Sequence, residues 1–419
     1  MPELSTDLVK IVQSYGFIIA ILLLIITHLT VEALLHLYHL RKIPIRIHVN
    51  GSQGKSTITR LITAGLQKAG FIACGKTAGA IPCFIRPDGT EQAIYRSSGN
   101  DIMELTKIIR TAANYKPHAL IISCSTTKPQ FQSLAELKFI KSTHGVISNI
   151  LDKNLTSMGP TRADVALAFA GAIPVKKKLF TAEVTYLPIL SKAAKDRSTE
   201  IIQVTPECIA SINEEILKQF SYIEYPNHPE NIAIALKVCE DLGVPQHLAL
   251  QGMFEAAPDP EATTIHLLEW EGQPIIFVNA FAINNEIELT ELWDILSKNY
   301  PDCQQRIILF NCRENKKTFS NKCAKMINNF SNLNQIYILG GGINSFISNL
   351  NPNIPSTTAI GWQPITILNH IEKINNENNN PIFIMGMGNI TGVGFKIFEY
   401  FTHIKHTNKL KQSIVTTKI

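Results

Sequence analysis

No C-x-x-C pair occurs in this 419-residue chain, although it holds eight cysteines, at positions 74, 83, 124, 208, 239, 303, 312 and 323. That spacing offers neither a zinc site nor a disulfide frame, so a reducing compartment and small core cysteines are expected. A strong charge of either sign is missing too. The formal net charge is +5 and the lysines and arginines are dispersed, so nucleic acid is not indicated as a partner. There is no G-x-S-x-G elbow, no H-E-x-x-H helix and no G-x-G-x-x-G dinucleotide loop. "GMGNITG" (386–392) comes nearest to the last and reads instead as a tight strand-to-helix turn.

What is present begins at "IRIHVNGSQGKSTITRLI" (45–62). Alternation from Pro44 to Val49 predicts a short strand. Ile58, Leu61, Ile62, Leu66 and Ala69 recur at helical spacing and stop at Gly70. Strand, glycine-rich turn and helix together make a phosphate loop, because the first amides of a helix and its dipole present positive charge to an anion. The common G-x-x-x-x-G-K-[ST] pattern has Val49 in place of its first glycine here, which leaves a shorter form, Gly51-x-x-Gly54-Lys55-Ser56-Thr57. The candidate nucleotide-binding residues are Asn50, Gly51, Ser52, Gln53, Gly54, Lys55, Ser56 and Thr57. Lys55 supplies a full charge and is the candidate catalytic group; the Ser56 hydroxyl is a candidate ligand for Mg²⁺.

The N-terminus differs in kind. An apolar run from Phe17 to Ile26 continues through Leu29, Val31, Leu34, Leu35 and Leu37, interrupted by His28, Glu32, His36 and His39. With this continuation it reaches the roughly 20 residues a bilayer requires. Arg41, Lys42 and Arg46 follow it, whereas Glu3 and Asp7 precede it, so the bulk of the chain is expected in the cytoplasm. An amphipathic helix lying in the interface is the alternative to a spanning anchor.

Further on, "HALIISCS" (118–125), "HGVISNI" (144–150), "KKKLFTA" (176–182) and "TEIIQV" (199–204) predict strands, closed by a helical "NIAIALKVCEDLG" (231–243). After a Pro-rich break, "AAPDPEATT" (256–264), the alternation restarts. Strands are expected near 273–281, 306–312, 335–341 and 381–389, with a helix near 288–298. The expected divisions are an anchor helix (1–43), a mostly parallel α/β nucleotide-binding domain (44–262), a smaller α/β domain (263–404) and a basic tail (405–419).

Several segments occur in an order that resembles one family: "HVNGSQGKSTITRLI", "KTAGA" (76–80), "SNILDKNLTSMGPT" (148–161), "HPENIAIAL" (228–236), "APDP" (257–260), "VNAFAINN" (278–285), "NCR" (311–313) and "GMGNITG". They look like the ligase subunit of poly-γ-glutamate synthase, the CapB/PgsB type, a membrane-anchored branch of the Mur ligase superfamily. The resemblance implies a Mur-ligase-like central domain and ATP-driven amide ligation with Mg²⁺, through an acyl phosphate that the amine of glutamate then attacks. It also implies a place in the bacterial plasma membrane, with small integral-membrane synthase subunits and the growing poly-γ-glutamate as partners. Asn231 resembles an adenine-contacting Asn, with His228 alongside; helix capping and a surface histidine are the alternatives for these two. The chain departs from the family's pattern at several ligand positions. Ser123 stands where a metal-binding Glu is expected, and Asp152, Lys153 and Asn154 replace a Glu-Asp-His run. Thr264 stands for an Arg, Asn285 for an Asp, and Glu314 and Asn315 follow "NCR" where an Asp is usual. Asp152 stays a candidate metal ligand. A nucleotide-binding scaffold with degenerate chemistry is accordingly the alternative to an active ligase.

Overall fold

The computed structural model describes residues 2–96, 102–152, 155–220, 222–224, 228–374 and 380–404. Lys153, Asn154 and the expected basic tail at 405–419 lie outside the described residues.

Branched apolar residues in short runs form the first sheet: β1 (Ile45–Asn50), β2 (Ala73–Lys76), β3 (Cys83–Ile85), β4 (Glu91–Ala93), β5 (Ala119–Ser123), β6 (His144–Ile147), β7 (Lys178–Thr181) and β8 (Glu200–Gln203). Their order is β4-β3-β2-β5-β1-β6-β7-β8. All pairs are parallel except β2 with β3 and β3 with β4. Both faces are covered, which is why the central strands read as nearly continuous apolar runs. On one face, helix Lys55–Lys68 buries Ile58, Leu61, Ile62 and Leu66 against Ile47, Val49 and Ile121, with helix Pro229–Asp241 packed beside it. Each of those four side chains contributes about 1.5–3 kcal/mol of burial. The antiparallel β2–β4 edge was not among the expected strands, because "ACGK", "CFI" and "EQA" contain no run of β-branched residues.

The second sheet collects β9 (Ile223–Glu224), β10 (Thr264–Trp270), β11 (Gln273–Asn279), β12 (Gln305–Cys312), β13 (Gln335–Gly340), β14 (Ser356–Thr358) and β15 (Ile382–Met387). Its order is β14-β13-β12-β15-β11-β10-β9. The strands expected near 273, 306, 335 and 381 are all present, and the expected helix near 288–298 runs from Glu286 to Asn299. β9 comes from within residues 44–262 yet pairs with β10, and Thr264 of the Pro-rich break is the first residue of β10. The division near 262 is therefore crossed by one short strand.

Helix Pro2–Arg41 is a single 40-residue element. Its stretch from Tyr15 to Arg41 is long and apolar enough, by length and composition, to cross a membrane, and most of its apolar side chains up to Leu35 are exposed. Its C-terminal end is fastened to the first domain. Leu40 and the following Ile43 are buried with Leu105, Ile108 and Ile109, His36 Nε2 lies 2.9 Å from the Phe139 carbonyl, and the Arg46 guanidinium donates to the carbonyls of Ile43, Ile140 and Lys141.

Candidate functional site

β1 delivers the chain to the C-terminal edge of the first sheet, where the loop from Asn50 to Gly54 turns it into helix Lys55–Lys68. Two glycines make the turn possible. Gly51 has φ +130° and Gly54 φ +81°, and a Cβ on Gly51 would strike Ser148, while one on Gly54 would strike the Asn231 side chain. Asn50 is buried and its Oδ1 accepts from the Gly51 amide at 2.9 Å. Ser52 N donates to the Asn149 carbonyl and Gln53 N to Asn149 Oδ1, each at 3.0 Å, and Ser148 Oγ donates to the Gln53 carbonyl at 2.7 Å. The "SNIL" segment thus fixes the outer half of the loop. The donors that remain for an anion are those at the start of the helix, whose first amides have no intrahelical acceptor.

Lys55 is half-buried and folds back to donate to the Gly51 carbonyl at 2.7 Å. Thr57 is buried in the same turn. Ser56 is buried, with its hydroxyl 3.3 Å from both the amide and the carbonyl of Ala78 in "KTAGA". The carboxylate of Asp259 lies close enough to feel Lys55 and Ser56. Burial raises the pKa of Asp259, opposed chiefly by the charge of Arg60 and further by the Glu261 amide, Lys55 and Ser56. Glu261 reaches across to accept from the amides of Ala80 and Ile81. The Pro-rich break therefore carries two carboxylates to the phosphate loop. Sequence reasoning passed over both, taking the segment as a linker; an acidic residue after each of its two prolines was the available signal. Lys76 was passed over as well. It is fully buried at the end of β2, paired with Glu104 at 3.0 Å, and burial lowers its pKa.

Asn231 lies in the first turn of helix Pro229–Asp241, 2% exposed, with its Oδ1 buried and without a hydrogen-bond partner. The side chain caps nothing. It lies against Gly54, so the structure brings it to the phosphate loop. His228, three residues earlier, is partly exposed and pairs with Glu230 at 3.0 Å. Asp152 stands at the margin. Its neighbour Leu151 donates to Ser52 Oγ at 2.9 Å, but the Asp152 carboxylate is half-exposed and taken up by Arg162. Ser123 is fully buried at the end of β5, on the face of the phosphate-loop helix, and its hydroxyl has no partner. Thr264 is buried and hydrogen-bonded to His266 at 2.9 Å, and Asn285 caps helix Glu286–Asn299 by accepting from Ile287 N. Among the described residues, no group of three or more His, Cys, Asp and Glu side chains is placed to hold a metal by itself.

At the corresponding edge of the second sheet, three motifs meet. Asn279 of "VNAF" donates to the carbonyls of Pro260 and Ala262, at 3.0 and 2.9 Å, and so pins the Pro-rich segment. Asn311 of "NCR" donates to the carbonyls of Asn389 and Thr391. "GMGNITG" is the tight strand-to-helix turn expected of it, running from β15 into helix Val393–His403.

A parallel sheet with a phosphate loop at its C-terminal edge, followed by a second α/β unit, is the fold of the Mur ligases and folylpolyglutamate synthases. Over 91% of its length the chain superposes on folylpolyglutamate synthase from Thermotoga maritima, covering 94% of that chain, with a TM-score of 0.56 at 12% identity. MurF from Acinetobacter baumannii gives 0.53 at 11% identity, over 88% of this chain and 80% of that one. So does a bifunctional folylpolyglutamate synthase/dihydrofolate synthase from Yersinia pestis, solved with AMPPNP and Mn, at 0.53 and 11% over 88% and 92%. Within that class, residues 265–404 match the family described as the poly-gamma-glutamate synthase CapB C-terminal domain. The chain is 35% identical to "Capsule biosynthesis protein CapB" of Bacillus anthracis over 67% of its length, and spans 60% of that relative. It is 28% identical to "PGA synthase CapB" of Bacillus subtilis over 90% of its length and 94% of that relative's. These matches bear out the resemblance read from the sequence.

Proposed function

We propose that this protein is an ATP-dependent ligase that joins glutamate to the end of a poly-γ-glutamate chain at the cytoplasmic side of a membrane. The observation that carries the reading is the loop itself: a glycine-turned helix start, with Lys55, Ser56 and Asn231 gathered on it. The AMPPNP in a protein of the same fold and the names of the CapB relatives support it. A terminal γ-carboxylate attacks the γ-phosphorus of ATP and ADP departs; the amine of glutamate then attacks the acyl phosphate and phosphate leaves. The protein's part is positioning and neutralisation of charge, and Lys55 supplies the fixed cation.

The site's donors fit a hard divalent cation, since the Ser56 hydroxyl and the Asp259 carboxylate are oxygen ligands near the phosphate loop. They would hold Mg²⁺, which would draw negative charge off the transferred phosphoryl group. Asp259 thus offers a carboxylate where Ser123 does not. The N-terminal helix, exposed along its apolar length, is the proposed anchor, and small integral-membrane subunits of a synthase are the proposed partners.

A second reading, a nucleotide-binding scaffold, is favoured by Ser123, buried and unpartnered where the family pattern has a metal-binding Glu. Phosphate release by the membrane complex separates the two. Release from ATP that rises on adding glutamate supports the ligase; ATP binding without any release supports the scaffold.

A further inference from the structure

Every residue of helix Pro2–Arg41 from Phe17 to Leu35 is exposed, and the side chains begin to be covered at His36. At about 1.5 Å per residue the exposed stretch is about 28 Å long, close to the roughly 30 Å of a hydrocarbon core. The helix then enters the first domain without a linker. Leu40 and Ile43 are buried in it, Arg46 donates to the carbonyls of Ile43, Ile140 and Lys141, and β1 already starts at Ile45. A domain joined so tightly has no slack to swing away from a bilayer that holds the helix. The surface around His36 to Lys42 therefore has to face the headgroups.

Two elements distant in sequence build that surface. Helix Glu104–Asn114 buries Leu105, Ile108 and Ile109 beside Leu40 and leaves Lys107 and Arg110 exposed. The segment 129–141 buries Ala135 and Ile140 in the same cluster and exposes Leu134, Leu137, Lys138 and Lys141. Both lie close to the anchor. The ring of Phe139 meets that of His36 edge-on at 5.9 Å, Arg110 is near enough to His39 to act on it by charge, and Lys141 is near enough to His36. On the anchor itself Arg41 is exposed, and the Lys42 ammonium sits 4.3 Å over the exposed ring of Tyr38. The carboxylates of the two flanking elements are engaged elsewhere, Glu104 with Lys76 and Arg96 and Glu136 with His48. Glu32, one turn before His36, is the one acidic residue between Tyr15 and Arg41, and at that depth a carboxylate reaches the interface. What remains outward is a collar of cations with two leucines among them.

We propose that this collar is a second membrane contact, in which Lys107, Arg110, Lys138 and Lys141 bind anionic phospholipid headgroups and Leu134 and Leu137 enter the interface. The proposal rests on the reading of the helix as an anchor. Cations within a Debye length of an anionic leaflet are attracted to it, and a tyrosine such as Tyr38 favours the same level. An exposed leucine beside them gains by leaving water. The contact also fixes the height of the proposed nucleotide site, because only the six residues of β1, about 20 Å of strand, separate the collar from the phosphate loop.

The test places the full-length protein in nanodiscs of phosphatidylcholine, with or without phosphatidylglycerol. Exposed lysines are labelled with a sulfonated succinimidyl ester and the rates read by mass spectrometry. Lys107, Lys138 and Lys141 should label roughly fivefold more slowly when phosphatidylglycerol is present, the scale of one lysine's attraction to such a surface, and high salt should restore the rate. Lys298 and Lys325, exposed on helices of the second sheet, serve as references and should not change. The double variant Lys138→Glu, Lys141→Glu should bring Lys107 back towards its rate in phosphatidylcholine alone. The comparison of lipids in the unmutated protein decides the matter even if the variant does not fold. Equal rates for the three lysines in both lipids, in protein that has entered the nanodiscs, overturn the collar and leave the anchor standing. Slowing that high salt does not reverse overturns the recognition of headgroup charge. Protein that does not enter nanodiscs at all overturns the anchor and the collar together.

Discussion

The two sheets end in edges built from opposite materials. At the first edge, Lys55, Asp259 and Glu261 gather by the phosphate loop and Lys76 pairs with Glu104 at the end of β2, several of them buried or half-buried. At the second, Asn279, Asn311 and Asn389 hold backbone carbonyls and a hydroxyl with neutral amides. Burying charge is costly unless a partner repays it, whereas an amide with its hydrogen bonds made is inexpensive to bury. Charge is thus concentrated where a charged ligand is proposed to arrive, and amides are used where only shape has to be held. The second edge still serves the first, because Asn279 fixes the segment that carries Asp259 and Glu261 to the phosphate loop.

The largest effect expected from this contrast is at Lys55. Lys55→Ala should lower ATP affinity by roughly a hundredfold, the scale of one charge-assisted contact to phosphate, without a matching loss of thermal stability. Titration of a fluorescent nucleotide measures the first and a melting curve the second. Unchanged affinity would show that the loop has been misassigned. Asn311→Ala should do the reverse. Loss of two hydrogen bonds to buried carbonyls should cost about 1–3 kcal/mol, read as a lower urea midpoint, with ATP affinity retained. A fall in affinity with no change in midpoint would erase the distinction between the edges.

The smallest effect is a pH dependence where the two sheets meet. Glu224 on β9 faces His228, Asp259 and Glu230; burial first, then the two carboxylates, raise its pKa to about 7, against the opposing pull of His228. Between its ordinary 4.5 and about 7, the folded protein keeps a proton that the unfolded chain has released. Stability should therefore be full below that window and decline as pH rises through it. Glu224→Gln should flatten the decline in melting temperature between pH 5 and pH 7, pH values chosen from that window. A slope identical to that of the unmutated protein would place the titrating group elsewhere.

Much of this organisation was legible from residue order. The strand before Asn50, the two glycines, and the helix that Gly70 stops are local features, and β11, β12, β13 and β15 of the second sheet announced themselves as apolar runs, whereas β10 went unread behind the Pro-rich break. The β2–β4 edge did not, because its segments, "ACGK", "CFI" and "EQA", carry no run of β-branched side chains. Asn285 shows the opposite lesson. Read against the family pattern it is a lost carboxylate, but in the fold it caps a helix, a role that Asn fills as well as Asp.

The sequence by itself determined the phosphate loop, the alternation that makes two mostly parallel sheets, and the apolar helix ahead of them, because each follows from the conformational preferences of neighbouring residues. Only the tertiary structure decided which distant side chains share the loop: Asn231 against Gly54 and Asp259 near Ser56. Such encounters depend on how the chain returns across a sheet edge, and no short-range preference encodes that path.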